Sequence, residues 1–80
     1  MEDNTLICLY HGFINRIKII IPTRDYSTTV EITELDKIIH YINIYKINKV
    51  ILSGLPMVTQ QIKYLIENTY PEIKIEIGEI

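Results

Sequence analysis

The sequence predicts one small α/β domain spanning residues 1–80. It should hold a mixed β-sheet of about five strands, with two helices packed on it, in the order β-β-β-α-β-α-β. Three observations lead there. Isoleucine supplies 19 of the 80 residues, with no alanine and no tryptophan, and Ile is stiff at its first torsion and suits pleated surfaces. Short apolar or alternating runs are separated by turn residues at Gly12, Pro22, Gly54 and Pro71. Two longer segments carry apolar residues at helical spacing.

Thr5–Tyr10 is a nearly continuous apolar run, the pattern of a strand buried on both faces. His11-Gly12 follows as a hairpin turn, because glycine accepts positive φ. Phe13–Ile21 resumes as a strand, with Ile17, Ile19 and Ile21 on one face and Arg16, Lys18 and Ile20 on the other. Pro22 ends it, since proline cannot donate to the ladder. Thr23–Ser27 is a polar turn, and Thr28–Ile32 alternates as a half-buried third strand with Val30 and Ile32 on one side.

Thr33 is placed to cap a helix by accepting from the amide of Asp36, and the helix runs to about Lys46. Leu35, Ile38, Ile39, Ile42 and Tyr45 form its apolar stripe. Asn48–Ser53 is a short apolar strand ending at Gly54, and Pro56 suits the first position of a second helix. Val58, Ile62, Leu65, Ile66 and Tyr70 make the buried stripe of that helix, and Pro71 stops it. Glu72–Ile77 alternates as a final edge strand, with Ile73, Ile75 and Ile77 facing in. The last β-α-β step predicts a right-handed parallel crossover, and the first two strands an antiparallel hairpin.

This order of elements resembles the ribonuclease H-like and actin-like domains, in which a hairpin sheet is extended by two parallel strands. For the nucleases the resemblance implies a catalytic Asp in the first strand and a second acid near the end of the fourth. Here the first strand reads Leu6-Ile7-Cys8-Leu9-Tyr10 and the fourth ends Ser53-Gly54, so the ligands of two-metal chemistry are missing. The phosphate loop of the actin-like domains opens Asp-x-Gly, where this chain has Tyr10-His11-Gly12.

The formal net charge is −2. The excess comes from residues 51–80, where Glu67, Glu72, Glu76 and Glu79 outnumber Lys63 and Lys74. No basic stripe is present, so a nucleic-acid partner is not expected. Cys8 is the only cysteine, which excludes an intrachain disulfide. The opening Met1-Glu2-Asp3-Asn4 lacks the positive region of a signal peptide, and no apolar run is long enough to span a bilayer. These features predict a soluble, cytoplasmic protein. The abundance of Ile, Asn, Lys and Tyr, all with A/T-rich codons, suits a phage, viral or other mobile-element gene.

Two readings of function follow. Ser53 and Gly54 sit between a strand and a helix, where backbone amides attract anions and glycine lets a phosphate approach. Thr59 and Gln60 in the next turn could add hydrogen bonds, which makes a binder of a small phosphate-bearing ligand or nucleotide, or a minimal nuclease-like domain using this loop, the alternative reading. The loop lacks the lysine and further glycines of known phosphate fingerprints. The stronger reading is a non-enzymatic module that binds a protein partner or a second copy of itself. Ile20, Ile44, Ile47, Leu55, Met57 and Ile80 fall off the main stripes, more than one small core can hide, and Tyr26, Ile44, Ile47, Leu55, Met57, Tyr64 and Ile80 are the candidate contact residues. Cys8, His11 and His40 lack the paired spacing of a metal site, so neither metal nor cofactor is expected. Cys8 lies in an apolar strand that should leave its thiol inert. Arg24, Asp25 and Tyr26 read as a solvated turn with a local ion pair.

Overall fold

The structure is a computed structural model that describes residues 3–11, 14–31 and 36–78. The expected turn at Gly12, the strand start at Phe13, Ile32, the Thr33 cap, Leu35 and Ile80 lie outside those residues. Strands β1 (Thr5–His11), β2 (Ile14–Ile21), β3 (Tyr26–Glu31), β4 (Lys49–Gly54) and β5 (Lys74–Ile77) form one sheet in the order β3-β2-β1-β4-β5. Helix α1 (Asp36–Tyr45) joins β3 to β4, and α2 (Pro56–Thr69) joins β4 to β5. β2 runs antiparallel to β1 and β3, whereas β1, β4 and β5 are parallel. This is the predicted mixed sheet, a hairpin extended by two parallel strands.

Both β-α-β crossovers advance across the sheet in the same direction. With the usual right-handed connection, that puts both helices on one face. The core agrees. Leu6, Cys8 and Tyr10 of β1, Ile17, Ile19 and Ile21 of β2, and Val50 and Leu52 of β4 are buried against Ile38 and Ile42 of α1 and Ile62 and Ile66 of α2. Register links them across the sheet: Leu6 lies between Ile19 and Val50, and Cys8 between Ile17 and Leu52.

β1 is not buried on both faces as its composition suggested. Its alternate residues Ile7 and Leu9 are only half-buried, because they lie on the face without helices. β3 begins at Tyr26, two residues early, so the polar turn shortens to a 3-10 turn at Pro22–Arg24 followed by Asp25 at φ 50°. β5 begins at Lys74, and Ile77 lies on the helix face beside Leu52 as expected but is 54% exposed, since among the described residues this edge strand has a neighbour on one side only.

Ile47 corrects another expectation. It is buried in the core, not on the surface. Lys46 takes the left-handed conformation at φ 52°, and the Ile47 amide donates to the Ile42 carbonyl at 3.0 Å. This Schellman-type ending turns the residue after Lys46 back onto the helix. Asn4 locks the same junction. Its side-chain amide donates to the Tyr45 carbonyl at 3.1 Å, and its own carbonyl accepts from Asn48 at 3.1 Å. Neither helix is long and apolar enough to cross a membrane.

Leu6 is fully buried at the centre of the sheet. Leu6→Ala is expected to lower the unfolding free energy by about 2–5 kcal/mol, a large part of a small domain's stability. The urea midpoint, at unchanged slope, reads the loss.

Candidate functional site

The corner where β4 enters α2 brings Gly54, Thr59 and Gln60 together around a groove of about 350 Å³, closed by Pro56, Ile77 and Gly78. Ser53 is not part of it. It is buried one residue back, beside Leu9 of β1. Gly54 sits at φ +123°, and a Cβ there would overlap the backbone carbonyl of Tyr10. The Leu55 amide donates to that same carbonyl at 3.0 Å. Glycine is therefore required for strand-to-strand contact, which leaves a phosphate unnecessary to explain it.

The amides at this helix start are largely occupied. Leu55 donates to Tyr10, Val58 and Thr59 both donate to the Leu55 carbonyl, and Pro56 has no N–H. The Thr59 hydroxyl donates back to the Pro56 carbonyl at 3.0 Å in a buried position. Among the described residues the groove lining carries no charged side chain.

Cys8 is buried in the core, and His40 lies exposed on α1 against the Tyr41 ring, so these two residues are not brought together. Among the described residues no group of three His, Cys, Asp or Glu side chains could hold a metal ion. Burial pushes the Cys8 thiol up to about 12. The Tyr10 phenol also rises to about 12, by burial and then by the nearby Cys8. The Tyr10 hydroxyl is buried with no hydrogen-bond partner among the described residues. In the Arg24-Asp25-Tyr26 segment, the Asp25 amide donates to the Pro22 carbonyl at 3.1 Å and Tyr26 stacks on Tyr45 with ring centres 6.0 Å apart. The anticipated Arg24–Asp25 ion pair is not among those formed by the described residues.

Of the residues expected at the surface, Tyr26, Ile44, Leu55, Met57 and Tyr64 are exposed. They are spread over several elements. Leu55 and Met57 flank the β4–α2 corner, Ile44 and Tyr64 sit on separate helices, and Tyr26 belongs to the aromatic stack at the edge of β3.

Another surface is one of which the sequence marked only Arg16, Lys18 and Ile20. On the sheet face opposite the helices, Ile7, Leu9, Ile20 and Ile51 form a half-buried aliphatic strip. Register brings Ile7 between Ile51 and Lys18, Leu9 beside Arg16, and Ile20 beside Thr5. Arg16 pairs with Glu31 at 3.8 Å on one flank, and Lys49 pairs with Glu76 at 3.7 Å on the other. Lys18 and Lys74 share this face and make no ion pair among the described residues. Among the described strand residues the face thus carries a cationic excess, on a chain whose net charge is −2. A signal for it was present in Arg16 and Lys18, whose alternation marks the face of β2, and hence of its neighbours, that meets water. The sequence matches no protein-family model, and no curated protein matches it.

Gly54→Ala is expected to prevent folding or to cost several kcal/mol, because both φ and the Tyr10 carbonyl oppose a side chain. Gln60→Ala in the same groove should leave thermal unfolding unchanged, and circular dichroism melts separate the two. Cys8 and Tyr10 hold their protons more tightly folded than unfolded. Stability should therefore be level below about pH 9, the ordinary thiol value, and fall as pH rises from there toward 12. Urea midpoints between neutral pH and pH 10.5 measure this, and a disulfide-exchange reagent at pH 8 should label Cys8 only after unfolding.

Proposed function

We propose that this chain is a non-enzymatic protein-interaction module whose docking surface is the sheet face opposite its helices. The observation that carries the reading is the aliphatic strip of Ile7, Leu9, Ile20 and Ile51, set between charged flanks on a face that neither helix covers. An apolar centre inside a polar rim is the common anatomy of a protein interface. The unpaired cations Lys18 and Lys74 favour a partner segment that presents apolar side chains flanked by acids.

The strip is aliphatic. Sheet surfaces that read single-stranded nucleic acid use aromatic rings as stacking platforms, and no described residue of this face supplies one. A protein partner therefore fits the chemistry of this face better than a nucleic acid.

A photo-crosslinking residue placed at Leu9 or Ile51 in cells of the source organism is expected to trap the same discrete protein. The same residue at exposed Asn68 on α2 should trap none. Ile20→Thr should cost under about 1 kcal/mol in a urea titration, since Thr keeps the β preference on a half-buried face, yet remove the adduct. Equal labelling from Leu9, Ile51 and Asn68, or adducts to nucleic acid, would overturn the reading.

A further inference from the structure

Among the described residues the outer edge of β5 is open, because β5 is the last strand of the sheet and pairs there with β4 alone. Its backbone orientation is fixed. The Lys74 amide donates to the Asn48 carbonyl at 3.2 Å and the Gly78 amide to the Leu52 carbonyl at 2.9 Å. Amides of even-numbered residues point at β4, so those of Ile75 and Ile77 point outward, ready to pair with another strand. The side chains alternate as well. Ile75 and Ile77 lie on the helix face, in line with Val50 and Leu52, and Lys74 and Glu76 lie on the open face, in line with Lys49 and Ile51.

We propose that two copies of this chain pair antiparallel along the outer edge of β5, about a two-fold axis through Ile75. The occupant of the edge follows from self-complementarity. In this register Ile75 faces Ile75 of the second copy, Ile73 faces Ile77, and Lys74 faces Glu76 twice over. Shifting the pairing by two residues in either direction, the smallest shift that keeps the outward amides paired, puts Lys74 opposite Lys74 or Glu76 opposite Glu76, and like charges directly opposed on a sheet are destabilising. The chosen register covers Ile77, which is 54% exposed in one copy. It joins two five-stranded sheets into one continuous sheet, closed by a symmetric contact that does not propagate. On the helix face the isoleucines of both copies meet in an apolar seam, and on the other face the charges pair.

Analytical ultracentrifugation of the whole chain over a wide concentration range is expected to show a reversible monomer–dimer equilibrium. Glu76→Lys and Lys74→Glu should each weaken the dimer at least about tenfold. The double variant K74E/E76K should restore it, because the opposed charges are exchanged. Glu76 also contacts Lys49 within its own chain, and the double variant does not rebuild that contact, so restoration identifies the contact between copies. In a directly opposed hydrogen-bonded pair the Cα atoms lie about 5.5 Å apart, within disulfide range. Ile75→Cys should therefore oxidise to a covalent dimer, and Glu67→Cys on α2 should not. Ile51→Thr, on the proposed docking face, should leave the dimer intact, which separates this contact from partner binding. A chain that stays monomeric at millimolar concentration, a dimer indifferent to both charge reversals, or an Ile75→Cys variant that fails to cross-link would each overturn the proposal.

Discussion

Covering the sheet on one side only is the constraint from which the rest of this molecule follows. β3 to β4 and β4 to β5 are both parallel crossovers advancing in the same direction, so right-handed connections leave both helices on one face. Alternate residues of β1, β2 and β4 then find α1 and α2 above them and close into a core with Ile38, Ile42, Ile62 and Ile66. The other alternate residues meet neither helix. A strand as apolar as β1 cannot satisfy both faces in this arrangement, and Ile7 and Leu9 stay half-buried.

The same arrangement explains why the β4–α2 corner is built as it is. β1 and β4 run parallel and in register from Thr5 opposite Lys49 to Tyr10 opposite Gly54. At the last pair the chain must leave the sheet for α2 while still touching β1. Only a residue without a side chain passes the Tyr10 carbonyl, which then accepts the Leu55 amide. Hydrogen bonding within the turn uses most of the groups that an anion would need. Around this corner Leu55, Met57 and Ile77 are exposed beside the polar Gln60.

Charge is distributed to match. The helix-free face carries Arg16, Lys18, Lys49 and Lys74 against Glu31 and Glu76, while the chain as a whole is acidic. Exposed ion pairs of this kind contribute little to stability. Their influence falls on which surfaces attract and which register of contact is tolerated. At β5 the alternation of Ile with Lys and Glu makes the edge complementary to itself, so the feature that marks an edge strand also selects its partner.

The linear sequence determined the kind and order of every element, because period-two and helical patterns are local and Pro22, Gly54, Pro56 and Pro71 punctuate them at fixed places. It also marked the core stripes: Ile17, Ile19 and Ile21, Ile38 and Ile42, and Ile62 and Ile66 are buried as their spacing requires. Only the tertiary structure decided which face of a doubly apolar strand meets the helices. Ile7 and Leu9 read like Leu6 and Cys8 in one dimension, and differ only through the side to which the crossovers carry α1 and α2. Ile47 looked superfluous for a similar reason, since its burial depends on the left-handed turn at Lys46 that folds it back over α1. Gly54 drew a ligand reading from its neighbours in sequence, and its true neighbour, the Tyr10 carbonyl, lies across the sheet. Pattern along a chain fixes local geometry, whereas contact between distant segments depends on handedness and register that no short window contains.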